Sequence, residues 1–381
     1  MKIALLGFGT VGGGVWELLQ GNPDWDIAWV LTRRTRPELG SRAVFTMEPI
    51  LADPEVELVV EVLGGIRPAF DYVAAALQAG KHVVTANKAL MAAHYDELTA
   101  LARQNGVALR CTGAVGGGIP FLTALERVRR LDRVRSVSGI VNGTTNYILD
   151  RMTREGSGFD AVLADAQDLG YAEADPSADL DGLDVRRKLV LMANVAFGVS
   201  LREEEIPMAG IRGVTAEDIA AFRKAGLVCR MLAMASREEG GVSAVAEPAL
   251  VPDSAPEAAV PLNCNRITVT GERLGEQAFF GQGAGRYPTA MNVLQDCMDI
   301  ASGCRSFYTE RALPCPVDND TLRRPYYVRT GDEKPFAGLI AGRLGPGFVT
   351  RPMAVPELYR RIPGCRFTAA VDNAFFAQHF A

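Results

Sequence analysis

The chain opens on a short apolar run, Lys2–Leu6, followed at once by Gly7-Phe-Gly-Thr-Val-Gly12. Apolar residues then recur at Val11, Val15, Leu18 and Leu19. The run has the length of a buried strand, and the spacing predicts a helix over 10–19. A second strand is predicted at 26–31, and the unit repeats with strand 57–63, helix 68–79, strand 82–85, helix 89–104 and strand 107–111. Alternation of this kind predicts a parallel sheet with helices on both faces. From Val134 the pattern is less regular, with strands at 134–141, 242–250 and 266–270 and helices at 146–155, 159–169 and 182–197. The Pro-rich stretch 247–261 reads as a loop, and a second glycine turn at 281–285 precedes a helix over 289–301. The expected fold is α/β, a doubly wound parallel sheet followed by an α+β domain. The expected divisions are 1–133, 134–283, a return segment 284–315 and a short tail 316–381.

A chain of 381 residues suits two or three domains. Its 48% hydrophobic and 22% charged content is ordinary for a globular protein. A net charge of −5 argues against nucleic-acid binding, which needs a basic field. Basic residues cluster at Arg127–Arg135, read as a solvated helix face, and at Arg33–Arg36. No apolar run approaches the roughly 20 residues that span a bilayer. The apolar start has no cleavage-site pattern of a signal peptide. Seven scattered cysteines without a C-x-x-C pair point to a reducing, cytoplasmic setting. Three histidines without metal-type spacing leave no case for zinc.

The Gly7–Gly12 run sits between a strand and a helix, the setting in which such glycines cradle a dinucleotide pyrophosphate. Gly7, Gly9 and Gly12 form the turn, and Phe8, Thr10 and Val11 complete the cofactor-facing segment. An acid at the end of the second strand would accept a ribose 2′-hydroxyl, whereas arginine favours a 2′-phosphate. Arg33 and Arg34 stand there, so NADP is expected over NAD. Two surface arginines without a ligand are the alternative. Lys88 lies just past a strand end in Thr85-Ala-Asn-Lys88, where ligand chemistry gathers, although an exposed loop lysine is equally consistent.

Residues 139–188 carry the densest chemistry. They comprise Gly139-Ile-Val-Asn-Gly-Thr-Thr-Asn146, Gly170-Tyr-Ala-Glu-Ala-Asp-Pro-Ser-Ala-Asp179 and Gly182-Leu-Asp-Val-Arg-Arg-Lys188. Carboxylates suit a substrate ammonium, backbone amides and hydroxyls suit a substrate carboxylate, and a lysine can move a proton. Asp184 and Lys188 are four apart, hence on one helical face. They flank an apolar stripe of Val185, Leu189, Met192, Ala193 and Ala196. An ordinary surface ion pair is the alternative. Asp179 and Asp181 are candidates for helix capping as well as for ligand contact.

These motifs, in this order, resemble homoserine dehydrogenase from residue 1 to about 304. The resemblance rests on Gly7–Gly12, Glu61–Gly65, Val84–Lys88, Val115–Pro120, Asn142–Asn146, Gly170–Asp179, Gly182–Lys188 and Gly283–Thr289. It implies reversible conversion of aspartate 4-semialdehyde and homoserine with NAD(P)H, in threonine and methionine biosynthesis, by a homodimer joined through the second domain. It implies proton transfer by Lys188, with Asp184 orienting it or the substrate, and a second active-site lysine in Lys88. It further implies substrate contacts at Glu173, Asp179, Gly143 and Thr144, and cofactor contacts at Gly170 and Gly283.

Two departures stand out. The family's usual glutamate before Val-Gly-x-Gly-x-Pro, a ligand to a monovalent cation, is Thr112 here. That leaves at most a weak cation site on the backbone of Val115, Gly117 and Ile119. Residues 316–381 are short for a regulatory ACT domain, and only Arg324–Arg329 is similar to its first strand. Two other functions have their own requirements. A thioester-forming semialdehyde dehydrogenase would need a nucleophilic cysteine paired with a histidine, and Cys111 lies near a strand end. A non-catalytic NADP-sensing module would have no use for Lys88, Glu173, Asp184 and Lys188.

Overall fold

The computed structural model describes residues 1–237, 241–304 and 315–380. They divide into two compact units. The first contains the described parts of Met1–Asp132, Val190–Arg202 and Gly281–Pro314, and the second those of Arg133–Leu189, Glu203–Phe280 and Cys315–Ala381.

In the first unit, β1 (Lys2–Leu6), β2 (Asp26–Leu31), β3 (Ala43–Val44), β4 (Val56–Glu61), β5 (His82–Thr85) and β6 (Leu109–Arg110) form one sheet. Its order is β3-β2-β1-β4-β5-β6, and every neighbouring pair is parallel. The order reverses between β1 and β4, which opens a crevice at their carboxyl ends. Ile3, Leu5, Val30, Leu58, Val60 and Val84 are fully buried, as strands covered on both faces require. The Arg286–Ala301 helix returns to this unit and lies on the Thr10–Leu19 helix. The approach is close enough that a Cβ on Gly14 would come within 2.9 Å of the Arg286 carbonyl oxygen.

The second unit is built on a mixed sheet. Its strands are β7 (Val134–Ile140), β8 (Leu227–Arg237), β9 (Val242–Pro252), β10 (Cys264–Gly271) and β11 (Gly275–Gln282), with a later set from the end of the chain. That set comprises β12 (Arg323–Arg324), β13 (Tyr326–Thr330), β14 (Ile340–Leu344), β15 (Gly347–Thr350), β16 (Met353–Ala354) and β17 (Cys365–Val371). β12 and β16 pair with each other, and the rest run β11-β10-β7-β8-β9-β17-β13-β15-β14.

Several features of this arrangement differ from what the sequence pattern predicts. β8 was not expected. It pairs with β9 over its whole length, from Leu227↔Pro252 to Arg237↔Val242, and its mostly apolar run, broken by the buried Arg230, shows no alternation because both faces are covered. The expected loop 247–261 begins as strand, since β9 continues to Pro252. Val190–Arg202 belongs to the first unit rather than the second. The residues expected as a tail are strands of the second unit's sheet. β17 pairs parallel with β9, Tyr326 and Tyr359 donate to the buried Glu247 carboxylate, and Arg324 lies 3.2 Å from it. Tyr327 and Arg329 likewise converge on Asp218, which closes the capping box of the Ala216–Lys224 helix with Thr215. Residues 305–314, part of the expected return segment, lie outside the described residues.

Candidate active site

The glycine turn of the first unit is shaped for close backbone approach. Gly7 has φ +106, and a Cβ on Gly12 would lie 2.2 Å from the Gly7 carbonyl oxygen. Gly9 precedes the Thr10–Leu19 helix with open space around its Cα. That helix has neither a side-chain cap nor an acid in its first turn, so its leading N–H groups suit an anion. These residues fit a dinucleotide pyrophosphate. Arg33 and Arg34 are exposed just past β2, in a turn shaped by Thr32, whose hydroxyl donates to the Arg34 carbonyl at 3.0 Å. Arg36 places its guanidinium 5.8 Å from the centre of the Phe8 ring. In the sequence Arg36 is distinguished only as a member of the Arg33–Arg36 basic cluster.

Beside the crevice, Glu61 ends β4 fully buried. Its carboxylate accepts from Thr85 Oγ1 at 2.5 Å, Leu63 N at 2.7 Å and Asn87 Nδ2 at 3.3 Å. Burial raises the Glu61 carboxyl above its usual range, and these donors work against that rise. Asn87 also donates to the Gly65 carbonyl, and its Oδ1 caps the Lys88–Gln104 helix at Leu90 N. Lys88, half-buried, is therefore the first residue of a helix whose start is anchored to a buried acid. Glu61 and Asn87 were visible only as members of motifs.

In the second unit, Asp184 and Lys188 are both buried, 3% and 7% exposed, with Lys188 Nζ 2.7 Å from Asp184 Oδ2. Lys188 also donates to the Val141 carbonyl at 2.6 Å. A surface ion pair is thereby excluded. Asn142 joins the cluster together. Its Nδ2 donates to Asp184 Oδ2 and to Asp179 Oδ1, each at 2.7 Å. Its Oδ1 accepts from Thr145 N at 2.8 Å and so caps the Gly143–Glu155 helix. In the sequence Asn142 stands out only as the first residue of the Asn142–Asn146 motif. The available signal was an asparagine directly before Gly-Thr-Thr, an N-cap position.

The other acids of this region separate by role. Asp175 accepts from Ser177 N and Oγ, and Asp181 pairs with Arg212. The short Ser177–Leu180 helix has no side-chain cap; Asp175, just before it, closes a turn onto Ser177. Glu173 is exposed on the loop that leaves the Phe159–Asp168 helix through Gly170, whose φ is +74. The Thr144 hydroxyl donates to the Tyr171 carbonyl at 2.6 Å. Thr144 therefore offers a ligand its backbone N–H, alongside Gly143 in the first helical turn, rather than its hydroxyl.

Thr112 and two of the three carbonyls expected at a cation already have partners. The Thr112 hydroxyl and N–H both donate to buried Asp296, each at 2.7 Å, and Asp296 also pairs with Arg110. Burial pushes the Asp296 carboxyl up to about 6, against the pull of Arg110 and the Thr112 donors. The carbonyls of Gly117 and Ile119 accept from Asn292 Nδ2.

Thioester chemistry at Cys111 is equally ill-suited. The thiol is 2% exposed, and burial pushes its pKa far up, which suppresses the thiolate. His82 Nδ1 accepts from Ala108 N, His94 faces Glu97, and His379 faces the Phe375 carbonyl.

The turn geometry generates one prediction. Gly9→Asp has room for its side chain, so its unfolding temperature should stay within about 2 °C of the parent. The added carboxylate should weaken NADP binding in a fluorescence titration by at least about tenfold, or about 1.4 kcal/mol. Binding within twofold of the parent would remove the pyrophosphate from this turn.

Comparison with known proteins agrees with this geometry. Residues 7–112 match the family model "Homoserine dehydrogenase, NAD binding domain", and residues 120–298 match that of "Homoserine dehydrogenase". The chain is 36% identical to the homoserine dehydrogenase of Bacillus subtilis, over 85% of this chain and 78% of that protein. It is 42% identical to the Synechocystis enzyme of the same name, over 79% and 73%. Its structure is similar to the crystal structure of a homoserine dehydrogenase from Thiobacillus denitrificans, with a TM-score of 0.87, 29% identity and 98% of each chain covered. A folded first unit with a nucleotide turn, a second unit with a buried lysine–carboxylate cluster, and identity well above 30% across most of both chains lead to one statement: the chain belongs to the homoserine dehydrogenase family.

Proposed function

We propose that the chain catalyses the reversible, nicotinamide-dependent reduction of L-aspartate 4-semialdehyde to L-homoserine, with NADP preferred over NAD. The observation that carries this reading is the buried Lys188, held between the Asp184 carboxylate and the Val141 carbonyl. The Gly7–Gly12 turn would hold the pyrophosphate of the reduced dinucleotide, whose nicotinamide would supply a hydride. As the aldehyde carbon accepts it, the carbonyl π electrons move to oxygen, and the new alkoxide takes a proton from the Lys188 ammonium. In the oxidative direction neutral Lys188 removes the hydroxyl proton as the hydride leaves the carbon. Asp184 keeps Nζ in place, because a second acceptor fixes the direction of the ammonium.

The substrate's ammonium is read onto Glu173 and Asp179. Its carboxylate is read onto the N–H groups of Gly143 and Thr144, at a helix start that favours anions. Lys88 is read as the second lysine of the site, and Gly170 and Gly283 as cofactor contacts. Arg33 and Arg34 support the NADP preference, since residues 32–36 hold three arginines and no acid. The family resemblance supports a homodimer and a cytoplasmic enzyme of threonine and methionine biosynthesis. All seven cysteines are free thiols, in keeping with a reducing compartment.

Homoserine oxidation, followed by reduced-nucleotide absorbance, tests the assignment. Lys188→Ala should lose at least about 10²-fold in kcat, the usual size of acid–base assistance, while its NADP Kd stays within twofold of the parent. A variant that keeps more than about a tenth of the parental kcat would exclude Lys188 as the proton carrier. Arg33→Ala/Arg34→Ala should lower the NADP:NAD ratio of kcat/KM by about tenfold or more, since charge-assisted hydrogen bonds are worth about 1.5–3 kcal/mol each. An unchanged ratio would contradict recognition of the 2′-phosphate by these arginines.

A further inference from the structure

We propose that Asn292 is a positioning residue that takes the place of a monovalent cation, making the nucleotide-side loop of this chain independent of one. The loop Val115–Ile119 turns through two glycines with positive φ, +75 at Gly116 and +55 at Gly117. The carbonyls of Gly117 and Ile119 consequently converge. The point on which they converge is held by Asn292 Nδ2, 2.5 Å from Gly117 O and 3.0 Å from Ile119 O. A carboxamide nitrogen has two hydrogens, one for each carbonyl. Ile119 O also accepts from Phe121 N at 2.8 Å, which commits both of its lone pairs.

The nearby groups that would compensate a cation's charge are committed as well. Asp296, one helical turn beyond Asn292, is fully buried and takes Arg110 Nε at 3.0 Å and Thr112 N and Oγ1 at 2.7 Å. Thr112 Oγ1, having given its hydrogen to Asp296, lies 3.0 Å from Thr123 Oγ1 and accepts from it. One face of the Arg286–Ala301 helix therefore fixes the whole 112–119 segment. Asp296 holds its start and Asn292, 5% exposed, holds its end.

The loop is also a support. Gly118 N donates to the Gln282 carbonyl at 3.2 Å, and a Cβ on Gly117 would come within 2.5–2.7 Å of Gly283 and Ala284 backbone atoms. Asn292 thus bears on the Gly283 segment. The consequence for the nucleotide rests on the cofactor reading of Gly283 above. The consequence for ion dependence of the fold does not.

The test uses the full chain, Asn292→Asp and Asn292→Ala in sodium, potassium or tetramethylammonium chloride at equal ionic strength. Unfolding temperature and NADP Kd are read together. The parent should give the same unfolding temperature and Kd in all three salts. Asn292→Asp, which turns a carboxylate oxygen toward the two carbonyls, should unfold several degrees lower in tetramethylammonium. Sodium or potassium should restore it saturably. Asn292→Ala should raise the NADP Kd by about tenfold, the loss of about 1.4 kcal/mol of hydrogen bonding, with a smaller change in kcat. Saturable stabilisation of the parent by sodium or potassium would overturn the proposal, as would an Asn292→Asp variant with no more ion response than the parent. Should Asn292→Asp not fold in any salt, an NADP Kd for Asn292→Ala equal to that of the parent would overturn the proposed support of the nucleotide segment. Because unfolding is read without substrate or nucleotide, a failure there is separable from a failure of the assigned reaction.

Discussion

The second unit depends on how two buried or half-buried carboxylates, Asp179 and Asp184, are kept from being isolated beside each other. A carboxylate withdrawn from water needs hydrogen-bond donors or a paired cation. A single amide nitrogen, Asn142 Nδ2, serves both, and Lys188 adds the cation at Asp184. Charge-assisted bonds of this kind are worth about 1.5–3 kcal/mol each. The other end of the same carboxamide caps the Gly143–Glu155 helix, so the position of the carboxylates and the position of the helix start are coupled through one residue.

The first unit uses the same device. Asn87 caps the Lys88–Gln104 helix with Oδ1 and grips the buried Glu61 carboxylate with Nδ2. In each unit an asparagine at a helix start faces acids on one side and the helix's own N–H groups on the other. The active-site candidates follow directly, Lys88 after Asn87 and Gly143 and Thr144 after Asn142. A carboxamide suits this position because it is donor and acceptor at once and carries no charge of its own to neutralise. Asn292 shows a third use, with carbonyls in place of carboxylates.

Much of this was legible in the residues. The βαβ alternation predicted the parallel sheet, and the motif spacing placed Asp184 and Lys188 on one helix face. Periodicity could not find β8, since Leu227–Ala235 is apolar without alternation except for Arg230 and rich in residues that also favour helices. The C-terminal strands looked like a tail because their partners, such as Glu247 and Asp218, lie about a hundred residues earlier in the chain. Asn142, Asn87 and Asn292 were hidden for a related reason. An uncharged amide announces no chemistry until its partners are known, and Asn292 meets its own 173 and 175 residues away.

The measurement that bears most directly on this account is homoserine oxidation by Asn142→Asp. Aspartate retains the capping oxygen but replaces the shared donor with a third acid between Asp179 and Asp184. Homoserine kcat/KM should fall by more than about 10²-fold, with a much smaller change in NADP Kd because the Gly7–Gly12 turn itself is unaltered. Parental kcat/KM in a folded Asn142→Asp protein would show that Asn142 Nδ2 does not organise the carboxylate–lysine cluster.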